Sequence, residues 1–219
     1  MWRERIRGNM KNKIFIVGGL LLITAALLLT MSNVMESQRA GKTASDMLIQ
    51  IERIEASRTD GTANTGDNAG AEIESQPEET GTQKAGEEVM PVLSVDGLDC
   101  IGTLEIPDLG LTLPILNDWS YELLKSAPCR YSGSIQDNNL VIAGHNYRTH
   151  FQKIKWMKAG QQVTFTDLNG NEYQYEVISV DEIDGDDVDG MLAGDWDLTL
   201  FTCTTSRVAR AAVRCRRIS

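Results

Sequence analysis

The apolar and polar positions divide this chain of 219 residues into an apolar run near the N-terminus, a polar middle and a C-terminal half of short alternating segments. The run covers residues 14–31, which are uncharged and mostly apolar. As a helix it would extend about 27 Å, which nearly matches the hydrocarbon thickness of a bilayer. The pattern therefore predicts a transmembrane signal-anchor helix over residues 14–31.

Basic residues precede this run. They are Arg3, Arg5, Arg7, Lys11 and Lys13, whereas the charges that follow the run are mixed. The positive-inside rule then makes residues 1–13 a cytoplasmic tail and predicts a single-pass plasma-membrane protein whose remainder is extracellular. A cleaved secretory signal is the competing interpretation, disfavoured because the run is long and no small-x-small cleavage site directly follows it. Either interpretation exports the C-terminal half.

Two segments of different character follow the run. Residues 32–57 place apolar side chains, including Met47, Leu48, Ile51 and Ile54, at steps of three and four, which predicts a juxtamembrane amphipathic helix. Such a helix would either lie on the lipid or self-associate. Residues 58–94 have few large apolar side chains and cannot bury enough surface to offset chain entropy. They are interpreted as a disordered tether that lets an anchored domain reach away from the bilayer.

From residue 95 to residue 219 the pattern changes to short β-type runs separated by turn residues. Strands are predicted over residues 102–106, 112–116, 140–143, 162–166, 172–180, 198–204 and 208–216. Asn169-Gly170 predicts a hairpin turn. Short helices are predicted at residues 119–125, capped by Asp118, at residues 151–157 and at residues 188–192. Many strands with few helices indicate a mainly β domain, a closed or nearly closed barrel.

Charge and cysteine usage narrow the function classes. The formal net charge of -10 argues against a nucleic-acid-binding protein, because the basic residues cluster only near the two ends. Cys100, Cys129, Cys203 and Cys215 show no paired spacing and no Cys-x-x-Cys, so neither a disulfide framework nor a zinc site is indicated. A bridge between Cys100 and Cys129 is an open alternative, but buried free thiols are favoured.

Candidate chemistry concentrates where a short apolar strand ends in a thiol. Residues 199–203 read Thr-Leu-Phe-Thr-Cys, with His145 upstream and an arginine-rich stretch downstream. A thiolate is a strong nucleophile that nearby positive charge stabilises, and a histidine can donate and accept protons. Cys203 is therefore the candidate nucleophile, and His145 is favoured over His150 as its acid-base partner. A core thiol and a structural turn histidine are the competing interpretations.

Further motifs accompany these residues: Ile-Gly-Thr-Leu-Glu-Ile-Pro at 101–107, Pro-Ile at 114–115 and His-Asn-Tyr-Arg at 145–148, preceded by a glycine. Together they resemble the sortases, cell-surface transpeptidases of Gram-positive bacteria, over residues from about 101 to 219. The resemblance implies an eight-stranded barrel with no required cofactor. It also implies cleavage of a Leu-Pro-x-Thr-Gly-like sorting signal after threonine, with the acyl part held as a thioester on Cys203.

The resemblance places the family's arginine at Arg210, seven residues after the cysteine. A planar guanidinium that stays charged can hold a substrate carbonyl or a developing oxyanion. Arg207 is the alternative if the strand boundary is misplaced. Thr202, beside the thiol, is a candidate substrate-binding residue or a plain β-former. The remaining arginines, Arg214, Arg216 and Arg217, are interpreted as solvated charges or wall contacts.

The implied partners are surface proteins that bear the signal, a peptidoglycan precursor or another amine acceptor, and the membrane. No Asp-Pro-aromatic segment precedes the barrel, and the segment of residues 181–197 is short. Within the family that the chain resembles, both features favour a lidless class B-like or D-like member. Acidic residues within 181–189 could bind Ca²⁺, but their spacing is not that of an EF-hand, and an exposed acidic loop is favoured. The rival hypotheses are a catalytically silent binding module and a hydrolytic cysteine protease.

Overall fold

The computed structural model describes residues 2–60, 90–204 and 208–219. Its first element is one continuous helix of 59 residues, α1 (Trp2–Asp60). Within the described residues this helix alone is long and apolar enough to cross a membrane, and its candidate region begins at Ile16. The predicted spanning and juxtamembrane segments are thus parts of a single helix with no break at residue 31. Residues 61–89 of the predicted tether lie outside the described residues.

The described residues after α1 form a nine-stranded sheet and a few short helices. The strands are β1 (Leu93–Val95), β2 (Leu98–Ile106), β3 (Leu111–Leu116), β4 (Cys129–Ser132), β5 (Leu140–Ala143), β6 (Gln162–Asp167), β7 (Glu172–Asp184), β8 (Leu198–Cys203) and β9 (Ala209–Arg217). The short helices are α2 (Val188–Leu192) and 3-10 turns at Pro107–Leu109, Leu123–Lys125 and Phe151–Trp156.

Hydrogen bonding closes the sheet into a barrel. The strand order is β1-β2-β3-β4-β5-β8-β9-β7-β6, and β6 also pairs with β2. This last pairing makes β2 to β9 a closed eight-stranded barrel, with β1 attached to β2 as a hairpin. The predicted barrel is confirmed. β1 begins at Leu93, inside the predicted tether of residues 58–94, so regular structure begins before the predicted boundary at residue 95.

The burial of β5 explains why the alternation of apolar and polar residues is weak in part of the sequence. β5 is buried along its whole length and lies beside β8 in parallel register. A strand covered on both faces reads as a continuous apolar run, because neither face needs polar side chains. Tyr175, Phe151 and Phe165 are among the largest fully buried side chains. The carboxyl ends of β5 and β8 therefore project from a well-packed interior.

The short helix before β4 differs from its predicted form. Residues 119–125 were expected to be a helix capped by Asp118, but only Leu123–Lys125 form a 3-10 turn. The hydroxyl of Ser120 accepts a hydrogen bond from the Leu123 backbone nitrogen at 3.1 Å. Ser120, rather than Asp118, therefore holds the start of this turn.

The C-terminal part of α1 packs against the barrel. Ala40, Ala44, Met47 and Ile51, at steps of four, three and four, are each at most 2% exposed. Met47 and Ile51 join an apolar cluster that also contains Leu116 of β3. The predicted apolar face of this segment therefore exists, but it is buried by the barrel rather than by lipid or a second copy.

Candidate active site

Three elements bring the candidate residues to one end of the barrel. Cys203 ends β8 and lies opposite Arg210 in the antiparallel register with β9. Ala143 at the end of β5 pairs with Phe201 in the parallel register with β8. His145 follows two residues after the end of β5 and lines the same cavity as Cys203. All three candidate side chains are partly exposed.

These side chains line one cavity of about 280 Å³. Apolar and aromatic side chains form much of its wall, and α2 with the preceding turn supplies another part. The lining residues are Trp119, Tyr121, Leu124, Tyr131, Ala143, Gly144, His145, Asp184, Gly185, Asp187, Val188, Met191, Phe201, Thr202, Cys203 and Arg210. The cavity therefore holds a nucleophile, an imidazole and a guanidinium beside an apolar wall.

The aromatic part of this wall was not predicted. Trp119 lies 5.1 Å from Tyr131 between ring centroids, and Tyr131 lies 5.2 Å from Phe201 in an edge-on arrangement. Trp119 is 42% exposed and Tyr121 is 72% exposed, which is unusual for such large rings. The sequence signal was available, because a tryptophan and a tyrosine stand close together in a short connection near a predicted site.

Thr202, the candidate substrate-binding residue, is 1% exposed and still contributes to the cavity wall. Its Oγ1 atom is buried and has no hydrogen-bond partner within the described residues. A buried hydroxyl without a partner loses the hydrogen bonds it would make in water. Thr202 therefore borders the cavity, but its hydroxyl is buried in the wall.

The glycine before His145 has a steric reason. A Cβ atom on Gly144 would collide with the ring of Phe151, which is fully buried below the loop. The backbone oxygen of His145 accepts a hydrogen bond from the Phe151 nitrogen at 3.1 Å. Tyr147 stacks on the His145 ring at 4.4 Å with an interplanar angle of 19°. Glycine thus lets the loop lie close to the barrel while it presents His145 to the cavity.

Only one of the four thiols suits a nucleophile. All four cysteines are free, and Cys203 is the one that is not buried. Burial raises the pKa of Cys100 to about 11 and the pKa of Cys129 and of Cys215 to about 12. A thiol that stays protonated is a poor nucleophile. The exposure of Cys203 separates it from the other three.

The competing histidine, His150, lies away from the cavity. Its side chain is completely buried, and among the residues that the structure describes neither ring nitrogen has a hydrogen-bond partner. Burial lowers the pKa of His150 from 6.5 to about 4, and nearby His145 lowers it further. The backbone of Ala40 acts to raise this pKa, although its geometry is not that of a hydrogen bond. His150 is therefore a neutral core residue at neutral pH.

The lowered pKa predicts acid sensitivity. Above about pH 6.5 the His150 ring is neutral in both the folded and the unfolded chain, so its titration does not lower the free energy of unfolding. Between about pH 6.5 and pH 4 the unfolded chain takes up a proton that the folded protein cannot, and the free energy of unfolding should fall by about 3 kcal/mol. Thermal melts across this range should show a shallower decline in His150→Phe. An equally steep decline in both proteins would contradict the assignment.

Arg214 corrects an interpretation made from the sequence. It was expected to be solvated or to contact the cell wall, but it is 3% exposed. Its guanidinium donates to the carbonyl oxygens of Met191 at 2.7 Å and Gly190 at 2.8 Å, and to Thr199 Oγ1 at 3.0 Å. The carboxylate of Asp181 lies 3.5 Å from Nε. Arg214 therefore fixes α2 on the barrel, and α2 forms one wall of the cavity.

Removal of this guanidinium should be costly. Arg214→Met keeps most of the side-chain volume but leaves two carbonyl oxygens without a donor, so the free energy of unfolding should drop by about 3 kcal/mol. Arg216→Met is the matched control, since Arg216 is partly exposed and its ion pairs with Asp195 and Asp197 are 3.7 and 3.6 Å long. Chemical denaturation should show a change below about 1 kcal/mol for the control. Equal losses in both variants would contradict the structural role of Arg214.

Arg207, the alternative to Arg210, lies outside the described residues.

The described acidic residues near α2 do not assemble a metal site: across residues 2–60, 90–204 and 208–219, no group of three or more His, Cys, Asp or Glu is placed to hold an ion. The Asp187 carboxylate instead caps α2 by accepting a hydrogen bond from the Gly190 nitrogen at 2.8 Å.

Comparisons with known proteins agree with the barrel. The family model of the sortase domain matches residues 104–218. No curated protein matches the chain. Sortase C1 from Streptococcus agalactiae is 24% identical with a TM-score of 0.50, and the match covers 57% of this chain and 71% of that chain. This likeness shows the fold.

Two structures from Clostridium perfringens are similar to this chain to a comparable degree. A sortase D5 transpeptidase is 24% identical with a TM-score of 0.49, covering 55% of this chain and 80% of that chain. Sortase C from strain SM101 is 25% identical with a TM-score of 0.46, covering 55% of this chain and 71% of that chain.

Proposed function

This chain belongs to the sortase family, and on that premise we propose that it is a membrane-anchored cysteine transpeptidase. One observation carries the proposal: the partly exposed thiol of Cys203 shares a cavity with His145 and Arg210, whereas the other three thiols are buried. A nucleophile, an acid-base group and a fixed cation are the parts that acyl transfer through a thioester requires.

In the first half of the proposed reaction, the Cys203 thiolate attacks the threonine carbonyl carbon of a Leu-Pro-x-Thr-Gly-like sorting signal. The new carbon–sulfur bond places negative charge on the carbonyl oxygen, and the Arg210 guanidinium offsets this charge. As the carbon–nitrogen bond breaks, the imidazolium of His145 gives its proton to the departing amine. The acyl part then remains as a thioester on Cys203.

In the second half, an amine attacks the thioester carbonyl. The neutral His145 ring accepts the proton that the amine loses, the carbon–sulfur bond breaks, and the Cys203 thiolate is restored with a new amide as product. Arg210 again faces the developing oxyanion. The imidazole therefore returns to its starting charge after one turnover.

The cavity wall supports a peptide substrate with apolar residues. Trp119, Tyr131 and Phe201 present apolar surface next to Cys203, which suits the leucine and proline of such a signal. Thr202 contributes to the same wall and is the proposed contact for the peptide backbone. We assign substrate binding to these side chains.

The proposed setting is the outer face of the plasma membrane. Residues 1–13 would lie in the cytoplasm, α1 would cross the bilayer, and the barrel would be extracellular. The proposed partners are surface proteins that carry the sorting signal and a peptidoglycan precursor or another amine, so that surface proteins become attached to the cell wall. The lidless class B-like or D-like assignment is part of this proposal.

A peptide-transfer assay tests the proposal. The full chain in detergent micelles would be incubated with a panel of sorting-signal peptides and several amine acceptors, and products would be identified by mass spectrometry. A new amide between the acyl part and the amine supports transpeptidation. Release of the free acid alone would indicate a hydrolytic protease, and unchanged peptides with bound partner would indicate a silent binding module.

A further inference from the structure

The helix that leaves the membrane touches the loop that carries His145. The Thr149 hydroxyl donates a hydrogen bond to the backbone oxygen of Ser37 in α1 at 2.9 Å. One turn further along α1, Gly41 faces the same threonine so closely that a Cβ atom there would lie 2.7 Å from Thr149 Cγ2. Glycine at position 41 therefore permits direct contact between α1 and the loop.

A row of rings continues from this contact to the cavity. The buried ring of His150 lies beside the Ala40 backbone of α1. The Tyr147 ring centroid lies 5.5 Å from that of His150 and 4.4 Å from that of His145. Tyr147 is thus held between the two histidines and stacks nearly parallel to the one that faces Cys203.

Internal hydrogen bonds link the residues of this loop to one another. The backbone oxygen of Tyr147 accepts from the nitrogens of His150 at 3.0 Å and Gln152 at 3.1 Å. The backbone oxygen of His145 accepts from Phe151, whose ring is fixed in the barrel core. Packed rings and closed turns thus connect Thr149 to His145, so a displacement at Thr149 has a route to the His145 ring.

We propose that the segment of α1 from Ser37 to Ala44 is a positioning element for His145, acting through Thr149, His150 and Tyr147. The inference rests on the proposed role of His145 as the acid-base group. In this arrangement α1 supplies the orientation that proton transfer to the departing amine needs, in addition to anchorage. A misplacement of about 1 Å at a reacting group can cost roughly 100-fold in rate.

Gly41→Ala tests the proposal in the full chain in detergent micelles. Alanine favours a helix more than glycine does, so helix propensity would not explain a loss. The added methyl group should push Thr149 away and lower kcat for acyl transfer by about 10-fold to 100-fold, with KM changed by less than about threefold. Gly19→Ala is the matched control, because nothing lies within 4 Å of its new methyl group in the same helix.

A second substitution should restore the rate. In Gly41→Ala/Thr149→Ser the colliding Cγ2 is removed while the hydroxyl that bonds Ser37 is kept. We expect kcat to return to within about threefold of the original value. If Gly41→Ala yields little folded protein, Thr149→Val takes its place, because valine keeps the side-chain shape but lacks the hydroxyl that bonds Ser37. A kcat loss of about 10-fold or more supports the proposal, and an unchanged kcat overturns it.

Histidine ring NMR separates positioning from a general loss of structure. The chain has two histidines, so the ring signals of His145 can be identified with one variant that lacks His150. Gly41→Ala should shift the His145 ring signals, and the double variant should restore them, whereas Gly19→Ala should leave them unchanged. Unshifted His145 signals together with unchanged kcat in Gly41→Ala would overturn the proposal.

The outcome for the proposed function is read separately. His145→Gln should abolish acyl transfer if His145 is the acid-base group. Full activity in His145→Gln would remove that role and, with it, the premise of the positioning proposal. Loss of activity in His145→Gln with a silent Gly41→Ala would overturn the positioning proposal alone.

Discussion

Cys203→Ala is expected to abolish thioester formation while the free energy of unfolding changes by less than about 1 kcal/mol. The sulfur atom supplies the bond-forming electron pair, and alanine has no substitute for it. Stability should be nearly unchanged because the side chain is partly exposed at the end of β8. The measurement is intact-protein mass spectrometry after incubation with a sorting-signal peptide, paired with a thermal melt.

Cys129→Ala is the matched control for this result. Its thiol is fully buried in the apolar cluster that also contains Met47 and Leu116. The same substitution should therefore preserve the acyl adduct and lower stability by about 1 kcal/mol, since it leaves a small cavity. An adduct of the same mass in Cys203→Ala would show that another residue is the nucleophile.

Arg210→Lys is expected to reduce kcat for acyl transfer by about 100-fold. Arg210 pairs with Cys203 in the strand register and lines the same cavity. A lysine ammonium can keep the charge but not the planar fork of donors. Steady-state kinetics with a saturating amine would measure the effect. The fold should be intact, because the structure assigns Arg210 one long hydrogen bond, from Nη1 to the Ala209 oxygen at 3.4 Å.

Two other arginines make this result specific. Arg216→Lys, at a partly exposed position on the same strand, should leave kcat within about twofold. Arg207→Lys distinguishes the alternative assignment. Should Arg207→Lys be the damaging change while Arg210→Lys is silent, the cation of the site would be Arg207.

Turn chemistry and β-rich composition made much of the barrel predictable. Asn169-Gly170 does connect β6 to β7, and Gly170 has the positive φ of 81° that such turns require. β5 was placed at its observed bounds, because a short apolar run bounded by polar residues is a strong strand signal. β4, by contrast, was missed: Cys129–Ser132 is short, follows a proline and carries a charged residue.

The long-range placement of side chains was harder to predict. Arg214 was interpreted as a solvated charge or a wall contact, but α2 covers it and turns an expected surface charge into a buried one. The same limit applies to α1: its apolar stripe was read correctly, while its partner, the barrel, could not be inferred from periodicity. The candidate residues Cys203, His145 and Arg210 could be predicted, because residue type and order identify them without knowledge of packing.

α1 continues without a break from the apolar run to its contact with the barrel, and this has a consequence for how substrates would arrive. Ala40, the first buried contact, follows the predicted end of the apolar run by nine residues, which is about 14 Å of helix. If α1 crosses the bilayer as proposed, a barrel docked on it at that height would lie in a thin layer above the lipid surface, where encounters depend on lateral diffusion. A protein still held in the bilayer passes through that layer continually, whereas a polypeptide released into the medium seldom re-enters it.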